Sequence, residues 1–192
     1  MAFRAGMMAR LALTGAICLV TFGYSKCIFV SDTGGTGIVS SSSSSSGGPP
    51  INGATFQTLL GLRDSTGTLT DDFRFGESIR FDLEVRNRTA QTINLVFDDA
   101  QIYDFVVLDA VTNRVRWRWS DGMAFAQVQT ELVFDPYSSK AYSVVWSGVL
   151  GDGTQLPPGR YRARGALVFD EFAGDPLAPN AMASPIVDFT VR

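Results

Sequence analysis

The chain has 192 residues, enough for one domain with extensions, and 45% hydrophobic and 11% aromatic content can fill a packed core. There is no histidine, which excludes a Ser-His-Asp triad, a Cys-His dyad and histidine-ligated metal; Cys18 and Cys27 both lie near the N-terminus, so the body has neither a disulfide nor a thiol nucleophile. The formal charge of −3 falls to about −6 without Arg4, Arg10 and Lys26, which disfavours nucleic acid or an anionic lipid surface as the main partner.

Residues 1–30 read as a signal peptide or N-terminal membrane anchor. Arg4 and Arg10 give a positive start, and Leu11 to Tyr24 is an apolar middle of secretory length. Three exits stay open. Cys27 is a candidate lipidation site because a Ser/Gly-rich tether follows it, although Lys26 beside it argues against this. Gly23-Tyr24-Ser25 offers small residues for ordinary cleavage after Ser25. Leu11 to Val30, with one charge, approaches the length that spans a bilayer. Each route implies export to the envelope, periplasm or outside, with membrane contact only through this segment. Residues 31–53 form a low-complexity Ser/Gly/Pro linker with little to bury, read as a flexible spacer. Gly34 to Gly37 lacks the strand, helix and lysine of a phosphate loop.

Residues 54–192 form the domain, and its pattern is all-β. Phe56 to Arg63 is a first strand. Ile79, Phe81, Leu83 and Val85 alternate with Arg80, Asp82, Glu84 and Arg86, the pattern of a half-buried strand. Asn87 to Ala90 turns it, and Thr92 to Phe97 should return as the second arm of an antiparallel hairpin. Ile102 to Leu108 is β-branched and aromatic with Asp104 its only charge, and Asn113 can take the left-handed conformation of a tight turn. Val115, Trp117 and Trp119 then alternate with Arg114, Arg116 and Arg118. That period places both indoles on a core face and the guanidinium groups on the other, read as a solvated face paired with strand carboxylates, with an anion-binding stripe as the alternative. Val128 to Phe134 and Ala141 to Trp146 are further strands, separated by the Asp135-Pro136 turn. Gly148 to Pro158 is a loop, Arg160 to Phe169 alternates again, 170–184 is irregular, and Ile186 to Val191 closes the domain. Short strands with regular turn signals and no helical period indicate a β-sandwich or barrel.

The order Gly76-Glu77-Ser78-Ile79, Asn87, Tyr103-Asp104-Phe105, Trp117-Arg118-Trp119-Ser120, Phe125, Gln127, Trp146 and Pro158-Gly159-Arg160-Tyr161 resembles the BsuPI domain family, named for a bacterial intracellular proteinase inhibitor. The resemblance implies an immunoglobulin-like antiparallel β-sandwich and inhibition of a serine protease. It departs at Asp135-Pro136-Tyr137-Ser138, where the family pattern expects Pro-Gly-Glu. It departs also in location, because the named member works inside the cell.

Little in the chain suits catalysis, and neither an enzyme, a cofactor nor a metal site is expected. Asp71-Asp72, Asp98-Asp99 and Asp170-Glu171 read as solvated turn residues. The three tryptophans read as core, with a carbohydrate or peptide platform as the functional alternative. For an inhibitor the relevant part is a loop, and Ser120 to Ala126, Asp135 to Lys140 and Gly148 to Pro158 are available. The first is the candidate contact loop: Ser120, Asp121, Gly122, Met123 and Phe125, where Met123 or Phe125 could fill an apolar pocket of the partner. The expected function is an exported or tethered proteinase-inhibitor-like domain directed at a subtilisin-like serine protease. The competing reading is a non-inhibitory envelope module that binds protein or glycan.

Overall fold

The computed structural model describes residues 53–168, 176–177 and 182–192. The predicted targeting segment, Cys27, the linker to residue 52 and Asp170-Glu171 lie outside the described residues. Among the described residues ten strands occur in chain order: β1 (Phe56–Arg63), β2 (Asp72–Phe73), β3 (Ile79–Asn87), β4 (Ile93–Phe97), β5 (Tyr103–Asp109), β6 (Val115–Arg118), β7 (Thr130–Phe134), β8 (Ser139–Trp146), β9 (Gly159–Leu167) and β10 (Val187–Val191). They form an immunoglobulin-like sandwich, all-β among the described residues. One sheet has the order β1-β3-β8, the other β2-β10-β9-β5-β6, and β4 pairs with β7 separately. All these pairs are antiparallel except the short parallel join of β2 to β10.

The alternation in β3 explains its central place. Ile79, Phe81, Leu83 and Val85 are buried, while the other face carries Arg80, Asp82, Glu84 and Arg86. Opposite them, β5 and β9 supply Phe105, Val107, Ala163 and Leu167 to the same core. Gly165 lies where the two sheets pack tightly. A Cβ there would sit 3.0 Å from the Phe105 ring and 3.1 Å from Leu83. At its C-terminal end β9 is buried on both faces, because Leu177 and Ala183 cover Val106, Leu108 and Ala166. Tyr161 explains the Pro-Gly-x-Tyr run. Its hydroxyl donates to the Pro157 carbonyl at 2.7 Å, a tyrosine corner that fixes the entry to β9.

The expected hairpin of β3 with the following strand does not form. β3 pairs with β1 and β8, and β4 pairs with β7. The cause is Asn87, fully buried at the end of β3. Its side-chain amide donates to the carbonyls of Gln91 at 2.7 Å and Asp135 at 3.0 Å. Its Oδ1 accepts from the Thr89 backbone N–H and hydroxyl. These bonds fix a wide turn that carries the chain away from β3, where a two-residue loop would have folded it back. Asn113 does adopt the left-handed region, with φ of 56°. So does Tyr137, with φ of 57°, within the turn where the family pattern expects glycine.

Candidate functional site

Strands β6 and β8 each end a sheet. Their aromatic residues meet at the same margin of the sandwich. Trp146, buried on β8, stacks on Trp117 of β6 with centroids 4.6 Å apart, and Trp117 also stacks on Phe81 at 5.4 Å. Tyr103 lies between Trp119 at 4.6 Å and Tyr142 at 4.7 Å. Burial, with the neighbouring Tyr103, pushes the Tyr142 phenol up to about 12, so it stays neutral. The expectation that all three tryptophans are core holds in part, since Trp117 and Trp119 pack against the core that contains Trp146. Trp146 is buried, but Trp117 and Trp119 are half-buried at the rim, and Val115 points out to solvent. β6 is a short edge strand with an irregular register against β5, so only part of each indole is covered.

The arginine face is mostly solvated, and the expected pairing with a strand carboxylate occurs at Arg118. Arg114 and Arg116 are exposed, but Arg118 is half-buried and pairs with Asp104 at 3.3 Å. Asp104 is 1% exposed. Its carboxylate also accepts from the Ser120 N–H at 3.2 Å, the Ser120 hydroxyl at 2.8 Å and the Phe105 N–H at 2.8 Å. Burial pushes this carboxyl above the usual range, against the opposing pull of Ser120 and Arg118. The node explains the spacing of Tyr-Asp-Phe and Trp-Arg-Trp-Ser. A charge inside β5 is tolerated because β6 and its following turn bring donors to it.

That turn begins the candidate loop. Met123 N–H donates to Ser120 O at 3.0 Å, and Gly122 takes φ of 78°, so Asp121 and Gly122 form the tip. Ser120 is a support, its polar atoms directed at Asp104. Asp121 is exposed and Met123 is 48% exposed. Phe125 is half-buried and folds back onto Trp119, with centroids 5.9 Å apart. The Ala126 carbonyl then accepts from the Ala100 N–H at 3.0 Å. Both ends of the loop are therefore held, while Met123 and Ala124 between them are exposed. No hydrogen bond is made by Ala124 among the described residues.

Beside the loop runs an open groove of about 390 Å³ between the two sheet edges. Trp117 and Trp119, Met123, Val144 and Val145, and Leu150 line its apolar part, and Arg116, Arg118 and Asp121 belong to its polar lining. Val145 is 66% exposed. Sequence reasoning missed this groove because its walls come from β6, β8 and the loop after β8. The only signal was the coincidence of a double-tryptophan strand with a later tryptophan strand. Of the other proposed loops, Asp135 to Ser138 is a tight turn, with Ser138 N–H donating to Asp135 O at 3.1 Å. The loop after β8 is closed on itself by Leu150 N–H to Thr154 O at 2.8 Å.

A β-glucosidase from Listeria innocua, solved with laminaribiose, is 11% identical over 70% of this chain and 16% of its own, with a TM-score of 0.37. The CARDB domain of a Pyrococcus furiosus protein is 12% identical over 71% of this chain and 94% of its own, with a TM-score of 0.35. The chain thus spans about 16% of the length of the glucosidase it resembles. No curated protein sequence matches significantly. The profile of the BsuPI intracellular proteinase inhibitor matches residues 69–172, more than half of the sequence and including the Asp104 node, the loop after β6 and both tryptophan strands. The chain belongs to the BsuPI proteinase inhibitor family.

Proposed function

We propose that this domain binds and inhibits a subtilisin-like serine protease outside the cytoplasm, and that the loop from Ser120 to Ala126 with its adjoining groove is the contact face. Family membership supports a protease as partner. The observation that carries the contact face is the exposed Met123-Ala124 segment held between the buried Asp104 node and the Phe125–Trp119 contact. A loop fixed at both ends loses less conformational freedom on binding than a free one. Left-handed Gly122 puts a turn directly before Met123. The loop therefore does not run as an uninterrupted extended strand, and the fit on this reading is by Met123 and the groove together. Export rests on Arg4, Arg10 and the apolar run from Leu11 to Tyr24, with Cys27 as the lipid attachment point if the tether is a lipoprotein.

The test is a titration of the purified protein against subtilisin-type proteases, following a small chromogenic peptide. Stoichiometric loss of activity with the inhibitor chain intact supports the proposal. No inhibition by folded protein sinks it. One observation favours a second reading, an envelope protein- or glycan-binding module: the half-buried indoles of Trp117 and Trp119 line an open groove. Quenching of their fluorescence by a glycan, without inhibition, would move the assignment there.

A further inference from the structure

Two Asp-Gly steps lie among the described residues, Asp121-Gly122 and Asp152-Gly153. Both glycines have positive φ, 78° and 81°, and both aspartates are exposed. Their surroundings differ in two independent ways. The Asp152 carboxylate is held by the Thr154 N–H at 2.9 Å and the Thr154 hydroxyl at 2.6 Å. The Gly153 N–H is engaged too, donating to Leu150 O at 2.9 Å. At the other step, among the described residues, the Asp121 carboxylate accepts no hydrogen bond and the Gly122 N–H donates none.

We propose that Asp121 is a site of spontaneous aspartate isomerisation, and that the fold protects Asp152 from the same reaction. The Gly122 amide nitrogen attacks Cγ of the protonated Asp121 carboxyl. The N–Cγ bond forms, the nitrogen loses its proton, and the carboxyl hydroxyl leaves as water, giving a five-membered succinimide. Water then adds to one of the two imide carbonyls. Opening at Cγ restores aspartate, and opening at the main-chain carbonyl gives isoaspartate. No oxidant or second reactant is needed. The nucleophile must be a free N–H and the carboxyl must be able to rotate toward it. The first step has both and the second has neither, because glycine supplies the nitrogen without a side chain in each case while only Asp152 and Gly153 are bonded elsewhere. The product carries one extra backbone carbon at the tip of the turn, which breaks the Met123-to-Ser120 hydrogen bond. On the reading proposed above it would also displace Met123 from the contact face, but the isomerisation itself does not depend on that reading.

The test is to age the folded protein in warm, mildly acidic buffer, digest it, and quantify isoaspartate at both positions by chromatography with fragment-ion sequencing. Conversion at Asp121 should run several times faster than at Asp152, and the two rates should converge in denaturant. Asp121→Glu should remove the first product. Thr154→Val should raise the second without changing the first. Equal rates in the folded chain would overturn the proposal. A rate ratio that survived in denaturant would overturn it as well, since local sequence would then set the rates. Deamidation at Asn52-Gly53 changes the mass and is read apart.

Discussion

Replacing Asp104 tests the structure at its most connected polar point. Asp104→Ala removes the acceptor of the Ser120 N–H, the Ser120 hydroxyl, the Phe105 N–H and Arg118. It leaves a half-buried guanidinium without this carboxylate. Breaking a buried pair from one side costs about 3–5 kcal/mol, and burial of the carboxylate itself already offsets part of that, so a loss of about 2–4 kcal/mol is expected. Urea unfolding followed by tryptophan fluorescence would measure it. Asp104→Asn keeps the shape and adds a pH signature. The folded pKa of Asp104 is raised by burial, so the folded state holds this proton more tightly than the unfolded chain does. The wild-type contribution from this group is then largest below its unfolded pKa. It falls as pH rises through the raised folded value. The stability of wild type minus that of Asp104→Asn should therefore fall, as a signed quantity, over that window, while shifts at other groups cancel between the two proteins. A loss below about 0.5 kcal/mol for Asp104→Ala would refute the node, because surface changes alone fall in that range. A wild-type-minus-variant stability that rose with pH would refute the assigned direction.

Three further substitutions test the packing. Gly165→Val should cost at least about 2 kcal/mol in denaturant unfolding, because the new side chain meets the Phe105 ring and Leu83 between closely packed sheets. Tyr161→Phe should cost about 1 kcal/mol by removing the hydroxyl bond to the Pro157 carbonyl, visible as an earlier thermal midpoint. Tyr137→Gly should stabilise by about 0.5 kcal/mol, since an exposed tyrosine in the left-handed region is strained and little packing is lost.

Much of the fold was legible because its strands are half-buried. β3 has a clean period of two, and burial follows it residue by residue. β9 was read as an alternating strand, but at its C-terminal end the alternation gives way to a run of buried residues, because Leu177 and Ala183 cover the second face. β2 went unseen because two residues carry no period; it exists through its pairing with β10. The false hairpin after β3 shows the limit of local reasoning. Asn87 to Ala90 does turn the chain, but the partners of the Asn87 side chain include Asp135, distant in sequence, and they decide which strands pair.

The site was legible in a different measure. The motif residues marked its position, and their roles came out redistributed. Arg118 shares its parity with Arg114 and Arg116, and the strand carboxylate expected to pair with that face is Asp104, buried in the adjacent strand. Ser120, expected to touch a partner, faces inward to the same carboxylate. Both contacts have one cause: a charge in β5 must be satisfied, and the end of β6 with its following turn brings donors to it. The same requirement explains why these residues occur together. Asp104, Arg118 and Ser120 hold the loop, while Asp121 and Met123 are presented by it. Substitutions in the holding group should therefore change stability and binding together. Met123→Asp, at a residue already nearly half exposed, should change binding with little loss of stability. Equal inhibition by wild type and Met123→Asp would separate the family function from this loop and direct attention to the groove wall at Val145.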